Sequence, residues 1–148
     1  MLLKKPEMFL ELTNKIYYIN IYHKSGILLY SYKFSKSPGE LDSVIWGNIL
    51  IGINHIISEF VDKSDQIDVL QTKNTDIIVN YDDLGFAVVL ITNRKNAILQ
   101  KLMEKFAFEF RKKYKDELLE IQDLNRIINV SEFKETRELI EKGFQLYI

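Results

Sequence analysis

The chain has 148 residues, a formal net charge of −1 from 20 basic and 21 acidic side chains, and no cysteine. That length fits one domain with a real core, and the charge balance argues against a non-specific nucleic-acid binder. Without cysteine this chain forms no disulfide, thiolate nucleophile or Cys-ligated zinc site.

An apolar fraction of 47%, with 12% aromatic, marks a folding sequence rather than a disordered one. No run of about 18 apolar residues is present to span a bilayer. Met1–Pro6 lacks the charged, apolar, small-residue order of a signal peptide. The expectation is a cytoplasmic protein whose membrane contact is at most peripheral. Residues 1–148 read as a single domain, with 1–14 an N-terminal extension or short helix and 116–148 a helical tail.

In chain order, Ile16–Tyr22 is β-branched and aromatic almost throughout and predicts a strand. His23-Lys24-Ser25-Gly26 is a turn in which Gly26 is free to take a positive φ. Ile27–Phe34 is the return strand. Both strands carry apolar residues on both faces, which suits a sheet covered on two sides. A loop at 35–40 leads to a helix from about Asp42 to Val61, whose apolar stripe includes Ile45, Trp46, Ile49, Ile53, Ile56 and Phe60. Ile67–Thr72, Asp76–Tyr81 and Phe86–Thr92 predict three more strands. The last is apolar nearly throughout, as central strands are.

A helix from about Lys95 to Tyr114 has an inner face of Leu99, Leu102, Met103, Phe106 and Phe110. Phe108 falls off that face and is expected to meet the last helix. Asp116–Ile128 is amphipathic and partly helical. A final helix begins near Ser131, which can cap it, and carries Phe133, Arg137, Ile140 and Phe144, with Gly143 near its end. The order strand-strand-helix-strand-strand-strand-helix-helix predicts an α/β (α+β) protein. Its sheet is five-stranded and mostly antiparallel, with helices on both faces. The first and last strands are natural neighbours in the middle.

This order resembles the longin and roadblock superfamily, with a layout also seen in profilin-like folds. The residues that carry the resemblance are Ile16–Tyr22, the Ser25-Gly26 turn, Ile27–Phe34, the helix Ser43–Phe60, the strand Phe86–Thr92 and the helix Leu99–Tyr114. The phrase from Ile21 to Tyr32 is similar to the opening hairpin of the archaeal members. The resemblance implies a dimeric docking platform for a small GTPase in membrane trafficking or signalling. The partner copy would be the same chain or a related domain. A profilin-like cytoskeletal or ligand-binding module is the alternative. A SNARE role is not implied, because no heptad helix or membrane anchor follows.

Motifs for catalysis are absent from the sequence: no H-E-x-x-H, G-x-S-x-G, phosphate-cradling G-x-x-x-x-G-K or G-x-G-x-x-G occurs. His23 in a turn and His55 on the first helix share no motif and read as a solvated and a half-buried histidine. Asp82-Asp83 reads as turn chemistry rather than a cation site. The expectation is a protein that is not an enzyme, with no cofactor and no metal. Arg111, Lys112, Lys113 and Lys115 form a dense basic run. It either complements a helix C-terminus or meets anionic lipid or an acidic partner.

The most informative stretch is Ser43–Ser58, sixteen residues without Asp, Glu, Lys or Arg. Away from its apolar stripe lie Gly47, Ile51, Asn54, His55 and Ser58, a small uncharged face suited to another backbone. The strand Ile67–Thr72 should lie at a sheet edge, where pairing with a second chain is open. Gly47, Ile51, Asn54, His55, Ser58, Ile67, Val69 and Gln71 are therefore the candidate dimer or partner interface.

Overall fold

The structure, a computed structural model, describes residues 15–34, 69–71, 75–121 and 129–148. The strands are β1 (Ile16–His23), β2 (Leu28–Lys33), β3 (Val69–Gln71), β4 (Asp76–Asp82) and β5 (Phe86–Thr92). They form one sheet in the order β2-β1-β5-β4-β3, and every neighbouring pair is antiparallel. The described residues thus form an α+β unit built on one antiparallel sheet. The opening strand and the apolar β5 lie side by side near its centre, because both need cover on two faces.

Two bulges shape β1. Against β2 the register shifts between Ile21 and Tyr22, leaving Leu29 as the extra residue. The result is opposite fates for two neighbouring leucines: Leu29 is buried in the core and Leu28 is 40% exposed. Against β5 the register shifts between Ile16 and Tyr18.

The described helices are α1 (Ala97–Lys113), α2 (Lys115–Ile121) and α3 (Thr136–Gly143), with short 3-10 turns at Val130–Phe133 and Gln145–Tyr147. The expected helix at Asp42–Val61 lies outside the described residues. Helix α1 starts where the Asn96 side chain accepts the Leu99 N–H at 2.8 Å. It ends with Arg111, Lys112 and Lys113 in its last turn, where cations suit the helix dipole.

One core lies between the sheet and these helices. Ile19, Ile21, Ile78, Phe86, Val88 and Leu90 meet Leu99, Met103, Phe106 and Phe110 there. Rings tie the layers together. Phe110 sits 4.9 Å from both Phe86 and Tyr114, and Tyr114 lies 4.9 Å from Phe133. Phe144 reaches Phe34 at 6.2 Å. Such pairs add about 0.5–1.5 kcal/mol each beyond the area they bury. The opposite face of the sheet is buried too: Ile77, Val79, Ala87, Val89 and Ile91 are shielded from solvent. A polar trio sits among them, in which the Ser31 hydroxyl donates to Asn20 Oδ1 at 2.6 Å and Asn20 Nδ2 to the Tyr22 hydroxyl at 3.4 Å.

Three expectations are corrected. Ser131 does not cap the last α-helix. It belongs to a 3-10 turn capped by Asn129, whose side chain accepts both the Ser131 N–H and hydroxyl, and α3 starts at Thr136. Phe108 does not pack on the last helix; it is 63% exposed. His23 is not solvated but 1% exposed, because β1 runs one residue further than expected and pairs it with Phe86.

Candidate functional site

Two places outside the core could meet a partner: the sheet edge at β3 and the outer side of α1. At the edge, β3 pairs with β4 through Val69↔Ile78, Leu70↔Ile77 and Gln71↔Asp76. No described strand lies beyond it. Val69 is half-buried and Gln71 exposed. Backbone groups on the outer side of such a strand are suited to pairing with another chain. Of the other candidate interface residues, Gly47, Ile51, Asn54, His55, Ser58 and Ile67 lie outside the described residues.

The basic run divides in two. Arg111 lies 3.8 Å from Asp82, and Lys113 holds Glu135 at 3.1 Å. The bond to Glu135 raises the Lys113 pKa above its ordinary value, and the same ammonium sits 5.9 Å from the Tyr114 ring centroid. These two cations therefore fasten α1 to the β4–β5 turn and to the residue ahead of α3. Lys112 and Lys115 are exposed and have no ion pair among the described residues.

Two further exposed lysines, Lys101 and Lys105, were not singled out in the sequence, although their signal is there. Leu99, Met103, Phe106 and Phe110 face the sheet at spacings of four, three and four. The same spacing two residues later gives Lys101, Lys105, Phe108 and Lys112. A shift of two residues is about 200° around a helix, so this second row lies opposite the core.

Between α1 and α3 runs a shallow groove of about 310 Å³. Leu102, Phe106 and Leu139 form its apolar lining, with Lys105, Glu109 and Lys142 also along it.

The turns carry little reactive chemistry. Asp82 Oδ1 accepts the Leu84 N–H at 2.9 Å, which is the turn role expected of it. Gly26 and Gly85 take positive φ of 95° and 89°. His23 Nδ1 accepts the Ser25 N–H at 3.2 Å and lies 2.8 Å from the Ser25 hydroxyl. Burial, with Lys24 adding to it, lowers the His23 pKa below its ordinary value. Burial likewise raises the phenols of Tyr22, Tyr30 and Tyr114. Among the described residues, no group of three His, Cys, Asp or Glu side chains is placed to hold a metal. No described helix is long and apolar enough to cross a membrane.

No protein-family model matches the chain, and no curated protein matches it. Among solved structures, it is similar to a chain of the mammalian SRP receptor, at 17% identity and a TM-score of 0.46. The superposition covers 89% of this chain and 97% of the other. So loose a superposition assigns neither family nor partner. The class that the described residues define is an α+β protein with one antiparallel sheet and a helical layer on one face.

Proposed function

We propose that this protein is a non-catalytic interaction platform of longin or roadblock type, working in the cytoplasm as a dimeric adaptor or regulatory subunit for a small GTPase. The observation that supports this reading most is the position of β3. It is a three-residue strand at the end of the sheet, carrying the exposed Gln71 and neither proline nor lysine within its span. Natural sheets usually blunt such an edge with charge, proline or a covering element. Among the described residues this edge is blunted by its shortness alone, and it suits pairing with a twofold-related copy, in which each β3 lies against the other. The GTPase assignment rests on the resemblance of the opening hairpin and of the strand order, and on nothing in the site itself.

The test is the solution mass by light scattering, for wild type beside a Val69→Lys, Gln71→Lys variant. A wild-type dimer that the variant converts to a folded monomer supports β3 as the interface. A wild type that stays monomeric at high concentration overturns the homodimer. A variant that stays dimeric overturns β3 as the seam.

A further inference from the structure

We infer that the outer face of α1 is a contact surface for an anionic lipid bilayer. The proposal goes beyond the adaptor reading and does not depend on it, because α1 and β3 are separate features.

The face has a definite composition. Lys101, Lys105, Phe108 and Lys112 form one row along α1, opposite the buried row, and Lys115 follows at the start of α2. All five are exposed, and the four lysines have no ion pair among the described residues. Their neighbours Arg111 and Lys113 are engaged by Asp82 and Glu135. The cations without an ion pair thus lie on the side of α1 away from the sheet, with Lys105 also bordering the groove between α1 and α3. From Lys101 to Lys112 the row spans about 16 Å at the usual helical rise. Glu104 and Glu109 flank the row on either side and Asp116 follows Lys115, so the four lysines outnumber the carboxylates beside them by one.

Phe108 distinguishes this face from an ordinary solvated one. It is 63% exposed in the middle of the lysine row, whereas Phe106 and Phe110 on either side are buried. An isolated aromatic flanked by lysines combines an apolar group that enters the acyl boundary with cations that stay among the headgroups. The long lysine stems can bend to keep their ammonium groups wet while the ring sinks.

A protein partner fits this surface less well. Protein interfaces concentrate aromatic residues and arginine at their centres and are depleted of lysine. Here lysine dominates, and a single ring has no apolar neighbour in its row to build an anchor around. A fluid, negatively charged surface needs no shape match and rewards spread charge, each lysine by about five-fold in partitioning.

The experiment is co-sedimentation of the full chain with vesicles of phosphatidylcholine alone and of phosphatidylcholine and phosphatidylserine in equal parts. Binding is expected to the mixed vesicles alone, and to fall away in high salt, where screening shortens to about 3 Å. Lys105→Gln with Lys112→Gln should lower partitioning by about 25-fold, and the charge-reversing pair Lys105→Glu, Lys112→Glu by more. Phe108→Ser should lower it by about five- to ten-fold. Because these positions are exposed, circular dichroism and thermal midpoints should match wild type, which separates lost binding from lost folding. Wild type remaining in the supernatant with mixed vesicles overturns the proposal. So does equal sedimentation of the charge-reversed pair. Equal affinity for soluble poly-glutamate, with Phe108→Ser silent, would also overturn it and assign the face to an acidic protein instead.

Discussion

The two sides of α1 use the same spacing and similar residue volumes for opposite ends. On the inner side, Phe106 and Phe110 are sunk among Phe86, Tyr114, Phe133 and Phe144. On the outer side, Phe108 stands in water among lysines. A phenylalanine in this helix is therefore no guide to its own role. Its angular position relative to the sheet decides whether it contributes to stability or is left for a partner.

The largest break in that comparison should come from Phe110→Ala. The ring is fully buried and touches four others, so the change should cost about 3–5 kcal/mol in equilibrium denaturation. Next is Asn96→Ala, which removes the cap on the Leu99 N–H and should cost about 1 kcal/mol by the same measurement. Arg111→Ala cuts a long, half-exposed pair with Asp82 and should cost less than about 1 kcal/mol. Smallest of all, Phe108→Ser should shift stability by less than about 0.5 kcal/mol. A Phe108 variant as damaging as Phe110→Ala would show that the two sides do not differ as described.

Much of the fold was legible because its signals are local. Hydrophobic period and turn residues mark β1, β2, β4, β5 and α1 to within two residues. Gly26 takes the positive φ its turn requires. The neighbouring placement of β1 and β5 followed from their doubly apolar pattern. What sequence could not show was set by tertiary geometry. The extra residue at Leu29 depends on register, and the burial of His23 depends on one more rung of pairing with Phe86. The split of the basic run is also non-local, because Glu135 and Asp82 are distant in sequence from the cations they hold. The candidate edge strand was legible as an edge, and the residues Gly47–Ser58 lie outside the described part. Lys101 and Lys105 stand apart from the dense run 111–115 along the chain and join Lys112 only by angle around the helix.

One consequence concerns protons. His23 is enclosed where β1 ends, and a backbone N–H bound to its Nδ1 leaves the ring hydrogen on Nε2, a buried atom with no hydrogen-bond partner. Charging the ring would place a cation beside Lys24 and strip Nδ1 of its role as acceptor. The folded protein therefore takes up this proton at lower pH than the unfolded chain, whose histidine titrates near 6.5. Between those two values the unfolded state binds more protons, so stability is full above about pH 6.5 and drains away as pH falls through the folded pKa. Denaturation midpoints measured across that window should decline for wild type and decline less for His23→Asn. The hairpin that opens the sheet would then act as an acid-sensitive clasp.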